Sequence, residues 1–128
     1  MLETVIWPRF TTWLDHLPRP VAIAVAQDLD YLARHARAAA LPYARHRIQA
    51  SAHFPDMSET RTEIDDGEHR WVLRCLTVFA NHDQALIVCL GGDKATWSAQ
   101  HPGQDWYETW IPVADEITTR IKKEKGWR

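Results

Sequence analysis

Residues 69–94, HRWVLRCLTVFANHDQALIVCLGGDK, read as two strands joined by a short polar turn. The first strand alternates. Trp71, Leu73, Cys75, Thr77 and Phe79 fall on one face, and Val72, Arg74, Leu76 and Val78 on the other. Asn81-His82-Asp83-Gln84 carries turn chemistry. Ala85–Leu90 is an unbroken apolar run of strand length, as in a central strand covered on both faces. Gly91-Gly92 is where this strand is expected to break. Arg74 departs from the pattern, because its face is otherwise aliphatic. A charge left unpaired there would be very costly, so Arg74 must reach a partner or an open groove. A guanidinium in such a groove suits an anionic, phosphate-bearing ligand. A salt-bridged or snorkelling arginine at the sheet margin is the structural alternative. An Arg74 ending on a buried carboxylate, with no basic hollow beside it, would remove the basis for phosphate chemistry.

Working outward, the acidic loop Asp65-Asp66-Gly67-Glu68 separates the first strand from a preceding one over Phe54–Ile64. Tyr43–Ile48, with Arg45, His46 and Arg47, is a connector or short strand. Val21–Ala40 is a helix, its stripe formed by Val21, Val25, Leu29, Leu32 and Ala36. Phe10–Leu17 is a shorter helix with Thr11 as a candidate cap, ended by Pro18-Arg19-Pro20. Leu2–Trp7 is a first strand. Beyond the hairpin, Ala95–Asp105 is a polar segment. Trp106–Lys123 is then a helix with Trp110, Val113, Ile117 and Ile121 on one face. Pro112 either kinks that helix or marks its start. Asp115 and Glu116 read as dipole and cap residues near its start. The expected fold is α+β: a small antiparallel-rich sheet with an N-terminal helical hairpin and a C-terminal helix, β-α-α-β-β-β-α, forming a single domain over 1–128.

The 128 residues suit one domain, and 45% hydrophobic content suits a packed core. No apolar run approaches membrane-spanning length, and Met1–Arg9 lacks a secretory pattern, so a cytoplasmic protein is expected. Cys75 and Cys89 read as reduced core residues, although they could approach one another if their strands pair. The sequence contains no metal-ligand motif, so no metal or other cofactor is expected. The net charge of −2 argues against a free-standing nucleic-acid binder, yet charge is segregated along the chain. Five arginines lie between Arg34 and Arg61 against Asp56 and Glu59, and five basic residues follow from Arg120 against Glu124. Two such blocks can build a positive cleft or only a solvated surface.

The C-terminal half resembles the RelE/ParE superfamily of bacterial toxins, in its HigB-like, phage-type branch. The residues that carry this are Leu73-Arg74 running toward Phe79, the strand Ala85–Leu90, Gly91-Gly92-Asp93-Lys94, Trp97, Trp106-Tyr107 and Ile111-Pro112-Val113-Ala114-Asp115. Trp13-Leu14, Leu17-Pro18, Leu41-Pro42 and Met57–Arg61 fit more loosely. The resemblance implies a type II toxin acting as a ribosome-dependent mRNA endonuclease. Its implied partners are the ribosome, mRNA and a cognate antitoxin of helix-turn-helix, HigA-like type. By position, Arg74 would bind the scissile phosphate and Arg61 would be a second phosphate contact. Lys94 would be a basic residue of the site, and Tyr107 a stacking or proton-transfer group.

RNA cleavage by a neighbouring 2′-hydroxyl needs a proton acceptor, charge on the phosphorane and a proton donor to the leaving oxygen. Arginine, lysine and tyrosine can supply these roles. Arg45 and Arg47 are candidates for tracking RNA backbone, and Trp97 and Trp106 for stacking bases, with core packing as the alternative. His101 is an acid, a base or a loop residue. Ser58 stands where relatives often carry lysine, and the segment between Trp97 and Trp106 is long for the branch, which leaves room for an altered nuclease. The same scaffold would serve a ParE-like gyrase inhibitor, or a decayed phage protein acting only by binding.

Overall fold

A computed structural model describes residues 2–128. The strands are β1 (Glu3–Ile6), β2 (Ala44–Arg45), β3 (Met57–Asp65), β4 (Arg70–Ala80) and β5 (Ala85–Asp93). The helices are α1 (Pro8–Asp15), α2 (Arg19–His35), α3 (Lys94–Gln100) and α4 (Trp106–Lys125). The α+β class and the order of the main elements are as the sequence implies. Tertiary pairing adds the parallel docking of β1 on β5, giving one sheet in the order β1-β5-β4-β3-β2.

The alternation of β4 divides the core in two. Leu73, Cys75 and Phe79 pack toward α1 and α2, while Leu76, Val78 and Ala80 pack toward α4. The β5 run serves both faces, with Leu86 and Val88 on the hairpin side and Ala85, Ile87 and Cys89 on the other. Cys75 and Cys89 therefore lie in separate core clusters and are free thiols. Burial pushes both up to about 12.

Several local expectations are corrected. The strand does not break at Gly91-Gly92; β5 runs on to Asp93, with Gly91 opposite Cys75 and Gly92 opposite Arg74. These glycines permit close approach of indoles instead. A Cβ on Gly91 would collide with the Trp13 ring, and one on Gly92 would lie 3.0 Å from Trp106 Nε1. Thr11 is not a cap, because α1 starts at Pro8 after Trp7. α2 stops at His35, and Ala36 turns to a positive φ of 49°. The start of the polar segment folds as α3. Pro112 lies inside α4 and does not start it; Asp105 caps that helix by accepting from the Glu108 N–H at 3.0 Å. The buried face of α4 is Trp106, Ile111, Ala114, Thr118 and Ile121, rotated by about one residue from the expected stripe. The buried hydroxyl of Thr118 bonds the Ala114 carbonyl at 2.9 Å, which satisfies it inside the core.

Asp115, mid-helix, caps a loop and not its own helix. It accepts from Ser51 Oγ at 2.5 Å and from the Ala52 N–H at 2.8 Å. The chain between β2 and β3 is thereby tied to α4.

Candidate active site

On β3, Met57, Glu59, Arg61 and Glu63 share one face by the two-residue period, and Met57 packs in the α4-side core. Register places Arg61 directly opposite Arg74, and Glu59 opposite Arg45 on the other side. Like charges facing one another across a sheet repel. The acids two residues to either side of Arg61 supply the balance.

Glu59 is the hub. Its side chain is 0% exposed, and Oε1 accepts from the Tyr107 hydroxyl at 3.0 Å and from Arg61 Nη1 at 3.1 Å. Arg45 Nε lies 3.3 Å from the same oxygen and Arg74 Nε 3.9 Å. Arg74 is 3% exposed; Nη1 donates to the Leu73 carbonyl at 3.0 Å, and Nη2 to Glu63 Oε1 at 3.4 Å. Two buried polar atoms here, Glu59 Oε2 and Arg74 Nε, have no hydrogen-bond partner among the described residues. Such groups are expensive to leave unmade, and each asks for a reason beyond packing.

Tyr107, in the first turns of α4, joins this hub to the surface. Two cations lie over its ring, Arg45 Cζ 5.3 Å and Lys94 Nζ 5.1 Å from the centroid. Burial first, then the negative charge of Glu59, pushes the phenol above its ordinary value, outweighing the opposing effect of Arg74. Its proton therefore stays on at neutral pH.

Beside the hub lies an open groove of about 440 Å³, lined by Arg45, His46, Arg47, Gln49, Asp105 and Tyr107 among others. Arg45 is 44% exposed and Arg61 30%, so both can meet a ligand while holding Glu59. Arg47 is held at a positive φ of 57°, with its guanidinium 5.0 Å from the Phe54 ring centroid.

Of the residues singled out from sequence, Arg45, Arg61, Arg74, Lys94 and Tyr107 come together, and Arg47 lines the groove. Trp97, Trp106 and His101 do not line it. Trp106 is buried over Gly92. Trp97 and His101 stack on one another at 4.3 Å, and His101 Nδ1 sits 2.8 Å from the Trp97 carbonyl. Arg74 itself does not line the groove: it lies buried near the Glu59 carboxylate, and the basic hollow beside the hub is lined by Arg45 and Arg47 instead. Glu59 was missed. Its signal lies in Glu59-Thr60-Arg61-Thr62-Glu63, where two acids flank an arginine on one strand face.

No protein-family model and no curated protein matches the sequence. Among solved structures, the chain is similar to the free-state structure of a double arginine-to-alanine mutant of the E. coli toxin RelE. The TM-score is 0.51 at 14% identity, over 94% of this chain and 97% of that one. The fold is therefore RelE-like.

Proposed function

We propose that the chain is a toxin of the RelE type that cleaves mRNA, with Glu59 and Tyr107 as its proton-handling pair. The observation that carries this reading is the buried Glu59 carboxylate, ringed by Arg45, Arg61 and Arg74 and bonded to Tyr107, at the side of a basic groove. The 2′-oxygen attacks the adjacent phosphorus, and the bond to the 5′-oxygen breaks, leaving a cyclic phosphate and a free 5′-hydroxyl. Tyr107 takes the 2′ proton as it passes its own to Glu59. Arg45 and Arg61 stabilise the phosphorane charge from the exposed side. Lys94, held over the Tyr107 ring, gives a proton to the leaving oxygen. Arg74 is a positioning residue, since its burial keeps it on Glu59 and Glu63. The ribosome and a helix-turn-helix antitoxin of HigA-like type are the partners that go with this reading.

One observation favours a second reading. Arg74 is buried beside carboxylates, as a purely structural arginine would be. On that reading the chain acts by binding a partner protein, without chemistry.

Induced expression in bacteria, with growth curves and mapping of transcript 5′ ends, separates the possibilities. The nuclease gives growth arrest and cuts within reading frames, both abolished by Tyr107→Phe. DNA breaks with intact transcripts would identify a gyrase poison. Undisturbed growth would leave the binding protein.

A further inference from the structure

The apolar stripe expected for α4 was Trp110, Val113, Ile117 and Ile121, but the sheet takes the arc centred on Ala114 and Thr118. Of the expected stripe, Ile121 is buried, Trp110 and Ile117 are half-buried at the margin of the core, and Val113 is exposed. Trp110, Val113 and Ile117 line a hollow of about 430 Å³ between α4 and α1, closed by Trp7 and Trp13. Its floor depends on Gly91, whose missing Cβ lets the Trp13 ring lie against β5. The hollow is separate from the Glu59 groove and shares no lining residue with it.

Two features give this hollow a chemical preference. Its volume falls in the range of small-molecule sites and its walls are mostly indole and aliphatic. Arg9 and Arg120 also line it, and among the described residues neither forms an ion pair. Glu116 lines the adjoining hollow with Arg120 without pairing to it. Aromatic walls and two free guanidiniums complement a flat apolar body with an acidic end.

We propose that this hollow binds a small planar apolar molecule bearing one oxyanion group, its rings against the indoles and its charge on Arg9 and Arg120. The site stands independently of the nuclease reading. The test is a titration of the full chain with 1-anilinonaphthalene-8-sulfonate, followed by dye fluorescence. One saturable site is expected. Arg9→Gln and Arg120→Gln should each weaken it by about tenfold, the equivalent of 1.4 kcal/mol. Both exchanges are at exposed positions and should leave binding of the neutral N-phenyl-1-naphthylamine unchanged. Val113→Trp should block both dyes. Displacement of the sulfonate by 1-naphthoate or by 1-naphthyl phosphate supports the proposal and tells a carboxylate from a phosphate headgroup; displacement by neither overturns it. Dye affinity indifferent to both arginine exchanges would assign the hollow to an apolar protein segment and overturn it. Self-association in sedimentation, dispersed by Val113→Glu, would assign it to a second copy with the same result.

Discussion

A carboxylate shut away from solvent, with three guanidinium groups 3.1–3.9 Å from one of its oxygens, responds differently to loss of charge and to loss of shape. Glu59→Ala removes the counter-charge and leaves Arg74 buried with only half-exposed Glu63 nearby. Breaking a buried pair in this way costs about 3–5 kcal/mol, which urea unfolding of the variant should show. Glu59→Gln keeps the volume and an acceptor for the Tyr107 hydroxyl, so it should unfold closer to the parent. If Glu59 receives the proton, that same variant should lose about 100-fold or more in RNA cleavage. A folded Glu59→Gln protein with full cleavage would remove Glu59 from the mechanism.

The phenol of Tyr107 adds a pH test. Its folded value is raised above the ordinary value of about 10. As pH climbs past the ordinary value, the unfolded chain releases the proton first, so stability present below that pH is lost as it rises. The alkaline decline in stability should be shallower in Tyr107→Phe. Equal slopes in the two proteins would show that the phenol is not perturbed.

Among the elements, β5 is the most tightly specified. The paired glycines read as a strand end in sequence, because Gly-Gly ordinarily interrupts ladders. In the fold they continue the ladder, since Trp13 and Trp106 need the space on opposite sides. Gly91→Ala would push the Trp13 ring off β5, together with its contact to Phe10 at 5.5 Å. Overpacking of this kind costs about 1–3 kcal/mol, which should appear as a lowered denaturation midpoint. An unchanged midpoint would mean that α1 shifts freely.

At the scale of the molecule, the groove has two walls from distant parts of the chain. Arg45 and Arg47 come from the β2 region, and Tyr107 comes from α4. Asp115 ties them through Ser51 and Ala52. Asp115→Ala removes two hydrogen bonds to a charged acceptor, each contributing about 1.5–3 kcal/mol. Hydrogen exchange should then rise in residues 49–56 before it rises in β3–β5. Uniform acceleration across the sheet would contradict a local tether.

The face assignments of β4, the two-sided burial of β5, the hairpin turns and the existence of α2, though not its end at His35, were all legible from the chain. They follow from periodicity and turn chemistry, which act between residues close in sequence. Arg74 stood out too, because it breaks an aliphatic pattern. Glu59 did not, because its meaning depends on Arg61 standing opposite Arg74 and on Tyr107 arriving from 48 residues away. Nor could spacing alone choose between the two overlapping apolar stripes of α4. Trp110, Val113 and Ile117 satisfy helical periodicity as well as Ile111, Ala114 and Thr118 do. The packing of α4 against the sheet seats Ile111, Ala114 and Thr118, with Trp106 over Gly92, and leaves Trp110, Val113 and Ile117 to border a hollow. Local order is written in neighbouring residues, whereas which polar groups are buried together is set only when strands and helices distant in the chain close on one another.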